Sequence, residues 1–234
     1  PMVPVRKMKL LNVRDLEQGL ENLRRIPTVQ TDFKLIPGEK EGESKVEILR
    51  KQGRPVRVML SADDSGSKFT GKNQGTATLF LDNMLGLSDM FYASVSTNLE
   101  HRHKPYGSDN YSIYYSVPWT YWQLNFYHNN YEYHQRVAGY ATDYTYSGES
   151  QNTTLELSRV LFRTSKSKTS MSIGGFLTKS QNYIDDTELE IQRRRQAGWE
   201  VGLNHRQFIG NAIFDADFRY KRGTGAFRAI RAPE

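Results

Sequence analysis

The sequence predicts a mainly β protein, in which a short helix and a hairpin precede a long ladder of antiparallel strands. Three features of its 234 residues lead to this prediction. Near the beginning, apolar residues recur at every third or fourth position, as on one face of a helix. From about residue 55 they recur at every second position, as in strands with one apolar and one polar face. The connections between the alternating segments are long and short in turn.

The composition excludes several classes of protein. No apolar run approaches the roughly 18 residues of a membrane-spanning helix, so a helical membrane protein is not predicted. Alternating membrane strands remain compatible with the low mean hydropathy of −0.69. The absence of Cys excludes disulfides, thiolate metal sites and a Cys nucleophile. The net charge of +6 is dispersed along the chain, and we expect no nucleic-acid partner.

The first fifth of the chain predicts one helix followed by a β-hairpin. Asn12 is a suitable N-cap, with Asp15 three residues later, and Pro27 ends the helix. The predicted apolar face of the helix comprises Val13, Leu16, Leu20 and Leu23. Two extended segments, 29–36 and 44–50, flank a turn rich in Gly and charged residues. A unit this small buries little apolar area, so we expect it to complete a domain that begins upstream. The alternative is an N-terminal addition to one larger domain.

Nine later segments alternate between apolar and polar residues and predict nine strands. They are residues 55–61, 76–81, 91–99, 112–117, 122–127, 154–158, 170–174, 199–204 and 214–219. Their polar positions carry mainly Ser, Thr, Asn, Gln, Gly and Asp, which is typical of the wall of a water-filled lumen. We predict that the lumen is lined by Ser94, Ser96, Gln123, Asn125, Glu156, Arg159, Glu200, Asn204, Asp215, Asp217 and Arg219. A soluble β-sandwich or barrel, which also alternates, is the alternative.

The lengths of the connections favour a membrane barrel. The long ones are predicted at 63–75, 100–109, 132–150 and 181–196, and the short ones at 82–87, 118–120, 163–168 and 207–211. Outer-membrane barrels have short periplasmic turns and long external loops in this order. An open sheet edge in lipid leaves backbone groups unpaired, at several kcal/mol each. The chain itself begins at Pro1 without a start Met. We therefore expect the nine strands to be an internal stretch of a larger barrel.

Histidines and paired acids could bind metal ions, but simpler interpretations exist. His101 and His103 lie two residues apart, and His128 and His134 follow later, yet no Cys or fixed carboxylate completes a site. Loop histidines in water explain them. The acid pairs at 63–64 and 185–186 lack the ligand spacing of a calcium loop. We predict no metal site and no cofactor.

A basic run at 193–195 could contact nucleic acid or lipopolysaccharide. A polar extension of a barrel strand above the membrane explains it as well, and we favour that interpretation. The sequence contains no nucleophile elbow, phosphate loop or zinc-protease helix motif. We therefore predict that the chain is not an enzyme.

Several short motifs follow one another in the strand region. They are DDSGSK at 63–68, LDN at 81–83 with LGLSD at 85–89, YYSVP at 114–118, NYIDDTE at 182–188, QRRR at 192–195, GWE at 198–200, GLNHR at 202–206 and KRGTG at 221–225. In this order they resemble the two-partner secretion transporters of the outer membrane. The resemblance is to the haemolysin secretion/activation family (ShlB/FhaC-like) and, within it, to transporters of contact-dependent inhibition toxins (CdiB-like).

The resemblance implies a division of the chain at about residue 52. Residues 1–52 would be the C-terminal part of a second POTRA domain, a periplasmic module. Residues 53–234 would be the N-terminal half of a transmembrane barrel, about nine strands of an expected sixteen. The implied location is the outer membrane of a Gram-negative bacterium. The implied surroundings are lipid and lipopolysaccharide around a monomeric barrel.

The resemblance also implies a function. Such a transporter secretes and activates one large exoprotein, a haemolysin, adhesin or CdiA-type toxin, which crosses in extended form without nucleotide hydrolysis. The POTRA part would capture this partner by strand addition at a sheet edge, for which the candidates are Val29, Thr31, Phe33, Val46 and Ile48. The alternative is a passive porin or adhesin-like barrel without a dedicated cargo. An enzyme embedded in a barrel is a more distant alternative.

Overall fold

The computed structural model describes residues 2–5, 11–39, 43–100 and 106–230. Within them lie helix α1, twelve strands β1–β12 and two short 3-10 turns. The elements are α1 (Val13–Arg24), β1 (Val29–Pro37), β2 (Ser44–Gln52), β3 (Val56–Asp63), β4 (Gln74–Asp82), β5 (Met90–Asn98), β6 (Gly107–Trp119), β7 (Trp122–Val137), β8 (Tyr144–Arg163), β9 (Ser167–Ile184), β10 (Thr187–Glu188), β11 (Arg194–Ile209) and β12 (Ala212–Thr224), with 3-10 turns at Glu190–Gln192 and Ala226–Arg228. The described residues include no helix long and apolar enough to span a membrane.

Helix α1 begins at the predicted N-cap, where Asn12 Oδ1 accepts a hydrogen bond from the backbone N–H of Arg14 (2.9 Å). Its buried surface differs from the prediction. Leu16 is buried, as expected, and α1 packs against β1. Val13, however, is 57% exposed, whereas the polar Gln18 and Asn22 are buried. The prediction of one purely apolar buried face is therefore wrong, because α1 also buries a polar side.

Strands β1 and β2 form a two-stranded antiparallel sheet of their own, paired from Val29↔Gln52 to Pro37↔Ser44. The predicted helix followed by a hairpin is therefore confirmed. The turn residues 40–42 lie outside the described residues. The face of the hairpin that carries Val29 is buried at the end nearest α1.

The second sheet is an antiparallel meander in which each long strand pairs with the next, in the order β3 to β9, β11 and β12. The short β10 pairs back onto β9. The nine predicted strands are thus confirmed. The prediction of a very long connection at 132–150 is wrong, because β7 and β8 continue to pair up to Val137↔Tyr144. Those outer residues lack apolar alternation, and the ladder is extended by backbone hydrogen bonds together with contacts such as the Tyr133–Tyr146 ring pair and the Arg136–Asp143 ion pair.

A β-bulge changes which way the last residues of β8 face. Val160 stands opposite Ser170 and Phe162 opposite Thr169, so β8 carries one extra residue between these pairs. Without the bulge, the two-residue period would place Arg163 on the apolar face. With it, Arg163 stands opposite Lys168, on the polar face of the sheet.

The polar side of α1 rests on the edge of the sheet formed by its short connections, which we call the rim. Arg163 Nη1 donates to Gln18 Oε1 (2.9 Å) and also pairs with Glu21. Lys168 Nζ pairs with the same Glu21 carboxylate. Asn22 Nδ2 donates to the carbonyl oxygen of Thr120, at the turn between β6 and β7 (2.7 Å). Buried polar groups of α1 are thus hydrogen-bonded by the sheet.

Two further side chains fasten α1 to the rim. The hydroxyl of Tyr121 donates to Asp15, and burial together with this contact raises the pKa of Tyr121 to about 12. Arg25 Nη2 donates to Ser116 Oγ on the polar face. Burial lowers the pKa of the Arg25 guanidinium, although the neighbouring Tyr114 and Asp89 oppose this shift.

The connection between β4 and β5 joins the hairpin to the sheet. Asp82 is 2% exposed and accepts a hydrogen bond from Thr28 Oγ1 (2.8 Å). Asn83 Nδ2 donates to Gln52 Oε1 at the end of β2 (3.0 Å). Asp89 is fully buried, and its carboxylate accepts backbone N–H groups of the turn. These contacts hold the helix–hairpin unit in one orientation against the rim.

We predict that Glu21→Gln weakens the docking of α1. The substitution keeps a side chain of the same size but removes the charge that Arg163 and Lys168 share. Exchange of the α1 backbone amides with deuterium should become about two- to fivefold faster, as expected for loss of a partly exposed ion-pair network. Glu47→Gln on the exposed part of β2 is the control. Equal exchange in both variants would contradict this interpretation.

The same network should respond to pH. Burial would raise the pKa of Glu21, but hydrogen bonds from Lys168 and Arg163 outweigh burial and lower it. A carboxylate whose pKa is depressed stabilises the docked state above its ordinary pKa and loses this effect as the pH falls through the depressed value. Acidification in that window should therefore reduce the protection factors of the α1 amides, which are corrected for the intrinsic exchange rate at each pH, in the wild type but not in Glu21→Gln.

Candidate functional site

The large sheet has buried side chains on its polar face and exposed ones on its apolar face, the reverse of a sheet in a soluble protein. Side chains of one face that are buried include Thr78, Asp82, Asn98, Ser108 and Ser116, all polar. The other face exposes large apolar residues, with Leu60 76% and Phe218 66% exposed. A soluble protein buries its apolar face instead. We call the first face the polar wall.

Ten of the residues predicted to line the lumen lie on the polar wall. Pairing across the ladders places opposite residues on the same face, so that Ser116, Asn125, Glu156, Gly174, Glu200 and Lys221 form one row across six strands. By the two-residue period from this row, the wall also carries Ser94, Ser96, Gln123, Asn204, Asp215, Asp217 and Arg219.

The placement of Arg159 corrects one prediction. Arg159 stands opposite Trp122, on the apolar face, and its guanidinium carbon lies 4.9 Å from the centroid of a Trp122 ring. The residues before and after it, Ser158 and Val160, occupy the polar wall. Its charge is held over an aromatic ring near the rim, and it does not line the polar wall.

Charged side chains on the polar wall occur in pairs of opposite sign. Glu200 Oε2 lies 2.9 Å from Lys221 Nζ, and Arg219 Nε donates to Asp217 Oδ1 (3.0 Å). Asn125 Nδ2 donates to Glu156 Oε1 (3.3 Å). A cleft of about 310 Å³ lies over this part of the wall. Such mixed and paired charges provide a hydrated surface without a strong net field of either sign.

Backbone groups of the hairpin that point away from its own ladder define its two edges. Gly53 N–H donates to Thr28 C=O (2.8 Å), and Gly38 N–H donates to Glu43 C=O (2.7 Å). These two hydrogen-bonded pairs continue the register at either end of the ladder, and both include an even-numbered residue beside β1. The even-numbered residues of β1 therefore belong to hydrogen-bonded pairs. Hydrogen-bonded and non-hydrogen-bonded pairs alternate in antiparallel ladders. The five predicted edge residues, Val29, Thr31, Phe33, Val46 and Ile48, therefore belong to pairs whose backbone groups face outward. Thr31 C=O already accepts from Arg24 Nε (2.8 Å).

His128, from the candidate metal site, and Arg193, from the basic run, both have hydrogen-bond partners within the chain. His101 and His103 lie outside the described residues, and His128 Nδ1 lies 2.8 Å from Thr153 Oγ1. Among the described residues, no three His, Asp or Glu side chains cluster as a metal site would require. Arg193 donates two hydrogen bonds to Glu188 (both 2.6 Å), which lowers the pKa of Glu188.

Sequence reasoning missed the residues that join α1 to the rim. Arg25, Arg163 and Lys168 carry no motif, and each acts through a partner distant in sequence. A basic pair flanking the short turn at 164–166, opposite an acidic helix, was the available signal. That signal is weak, because surface charges are common on any protein.

Comparisons with known proteins agree with this geometry. The family model described as "Haemolysin secretion/activation protein ShlB/FhaC/HecB" matches residues 42–234, and the POTRA domain model matches residues 2–37. Outer membrane transporter CdiB-2 of Burkholderia pseudomallei is 33% identical over 222 residues, which are 95% of this chain and 38% of that protein. Hemolysin transporter protein ShlB of Serratia marcescens is 27% identical over 96% of this chain and 40% of its own length.

Solved structures show the same fold. The chain is similar to CdiB from Escherichia coli with a TM-score of 0.92 and 29% identity, over 98% of this chain and 42% of that chain. It is similar to CdiB from Acinetobacter baumannii with a TM-score of 0.82 and 32% identity, over 95% of this chain and 42% of that chain. The chain thus spans about two fifths of the length of the proteins it matches. Since the first family model covers most of its residues, the chain belongs to the haemolysin secretion/activation protein family ShlB/FhaC/HecB.

Proposed function

We propose that this chain forms part of the pore of a two-partner secretion transporter, which exports one large partner exoprotein across the outer membrane. The observation that carries the proposal is the inverted sheet, which exposes its apolar face and has paired charges on its polar wall. The apolar face contacts lipid and lipopolysaccharide, and the polar wall faces water in the lumen of a monomeric barrel. The names of the relatives, which include haemolysin and CdiB transporters, support an exoprotein as cargo.

The division of labour follows the two sheets. Residues 1–52 belong to the periplasmic POTRA part, and residues 53–234 belong to the barrel. The hydrogen bond from Gly53 to Thr28 supports this boundary, because it closes the hairpin immediately before β3 joins the large sheet. The contacts of α1 with the rim support a position of the hairpin beside the mouth of the lumen.

Capture of the partner uses the hairpin edges. An unfolded chain adds as a strand and bonds to outward backbone groups, which gives affinity without demanding one sequence. The β2 edge offers Val46 and Ile48, and the β1 edge offers Val29, Thr31 and Phe33. On the β1 edge, Arg24 already occupies the carbonyl of Thr31. The N–H of Val29 donates to Ile26 C=O (3.1 Å) and that of Phe33 to Asp32 Oδ1 (3.2 Å), so the added strand would have to replace these bonds.

Passage then follows the polar wall. Hydroxyl and amide side chains exchange hydrogen bonds with an extended chain as readily as with water, so no segment is held strongly. The paired charges near the rim keep the passage hydrated for cargo of either charge. No nucleotide is hydrolysed, and folding of the exoprotein outside the cell supplies the direction of transport. The chain acts as a transporter and not as an enzyme.

We predict that apolar substitutions on the polar wall reduce export more than one on the lipid-facing side. Glu200→Leu removes the carboxylate paired with Lys221, and Asp217→Leu removes the nearer of the two carboxylates beside Arg219. Secretion of the co-expressed exoprotein should fall about two- to fivefold, as expected for the loss of a partly exposed ion pair. Val201→Leu, one residue away on the apolar face, should secrete normally. Equal secretion by all three variants would contradict the assignment of the lumen.

We predict further that proline at the capturing edge blocks export. Phe33→Pro and Ile48→Pro each remove one outward N–H and leave the bonds of the β1–β2 ladder intact. Phe33→Ala and Ile48→Ala keep the backbone donor and serve as controls. Strand addition predicts that at least one proline variant loses partner binding while its alanine control retains it, measured by pull-down of the unfolded exoprotein. Normal binding by both proline variants would disprove capture at these edges.

A further inference from the structure

One row of the polar wall carries five aromatic side chains. Phe80, Tyr92, Tyr114 and Tyr127 stand opposite one another on β4, β5, β6 and β7. Tyr127 is followed in the same row by Thr154 and then by Phe176 on β9. We call these five rings the aromatic band. A separate group, Tyr131, Tyr133 and Tyr146, lies on the same face near the outer ends of β7 and β8.

Three rings of the band contact each other in sequence, and a cation lies beside the ring at each end of the band. The ring centroids of Phe80 and Tyr92 are 6.1 Å apart, and those of Tyr92 and Tyr114 are 5.1 Å apart with nearly parallel planes. At one end the guanidinium carbon of Arg57 lies 4.9 Å from the Phe80 centroid. At the other end Lys221 Nζ lies 5.7 Å from the Phe176 centroid. All five rings remain partly accessible.

The rows on either side of the band are mainly polar, although each contains one methionine, Met59 or Met90. Toward the long connections, the next row is Thr78, Ser94, Ser112 and Asn129. Toward the rim, the next row includes Asp82, Ser116 and Asn125. The band is therefore an aromatic zone between mainly polar rows, and it lies on the face of the sheet opposite the apolar one.

The direction of the band identifies the ligand that it suits. Residues in register follow the hydrogen-bonding direction, across the strands, so the band runs around the wall rather than along the path of transport. A solute that slides along an aromatic track would need rings stacked along the path. A band that runs around the wall is crossed by every part of a long chain in transit. Aromatic faces bind apolar and aromatic side chains with little regard to sequence.

We infer that the aromatic band is a contact site for the extended polypeptide in transit, binding its apolar and aromatic side chains one after another. This inference rests on the proposed export function and specifies where the moving chain touches the wall. Polar segments pass the band without contact, and apolar segments pause on it. Tyrosine hydroxyls keep the band wettable, and one of them, Tyr114 Oη, donates to Asn125 Oδ1 (3.3 Å).

The test is single-channel recording of the protein, expressed from its own gene, in planar lipid bilayers. The probes are a synthetic Gly/Ser/Asn peptide with regularly spaced Phe and the same peptide with Ser at those positions. In the wild type, the Phe peptide should block the current for longer than the Ser peptide. In Tyr92→Ser/Tyr114→Ser this difference should shrink about fivefold, as expected for the loss of aromatic contacts.

Two controls keep the result interpretable. Tyr92→Phe/Tyr114→Phe keeps both rings and should retain the wild-type blockades, which separates ring contact from hydroxyl chemistry. Tyr115→Ser changes the neighbouring residue on the apolar face and should also retain them. Folding of each variant is checked by its heat-dependent migration in gel electrophoresis. Equal blockade times for the two peptides in the wild type would overturn the inference, as would an unchanged difference in Tyr92→Ser/Tyr114→Ser.

Other occupants of the band give different results. Blockade by a malto-oligosaccharide that is lost in Tyr92→Ser/Tyr114→Ser would assign the band to a sugar and overturn the inference. A large rise in peptide-free conductance in that variant would show that the rings hold another segment of the protein. Secretion of the co-expressed exoprotein by the wild type tests the export function separately. Secretion by the wild type with unchanged peptide blockades in the variant would refute the band alone.

Discussion

Across the large sheet, residues of the polar wall stand opposite other residues of the wall, because nine strands pair neighbour to neighbour in one register. A slip of one residue at any ladder would turn every following side chain to the other face. Leu60 and Phe218 could then no longer both lie on the apolar face while Glu200 and Lys221 pair on the wall. The exposed apolar face, the paired charges and the aromatic band all follow from this register.

The bulge in β8 is the one place where the register is shifted within a long strand, and it serves the contact with α1. It moves Arg163 to the polar wall at the rim, where Arg163 and Lys168 share Glu21. The same helix buries Leu16 on its other side, next to the hairpin. Helix α1 therefore links the two sheets, and the hairpin and the wall keep a defined geometry relative to each other.

Local patterns in the sequence were sufficient to predict the strands but not every face or boundary. Alternation is a local property, so β5 or β12 could be recognised from a few residues each. Beyond the apolar stretch, β7 and β8 pair through backbone bonds that leave no pattern, and their outer halves were predicted as a loop. The two-residue period of β8 places Arg159 on the apolar face, and only its charge favoured the polar wall. The burial of Gln18 and Asn22 depends on contacts more than 90 residues away in sequence, which no local pattern reveals.

The central claim is that the polar wall faces water and the opposite face contacts lipid. Because the chain contains no Cys, single cysteines can be introduced without background labelling. Ser172→Cys places a thiol on the wall, and Ile173→Cys places one on the apolar face of the same strand. In native membranes, a water-soluble thiol reagent should label Ser172→Cys about tenfold faster than Ile173→Cys, since the second thiol lies in lipid. Equal labelling of both positions would contradict a lipid-facing apolar surface, and with it the membrane barrel.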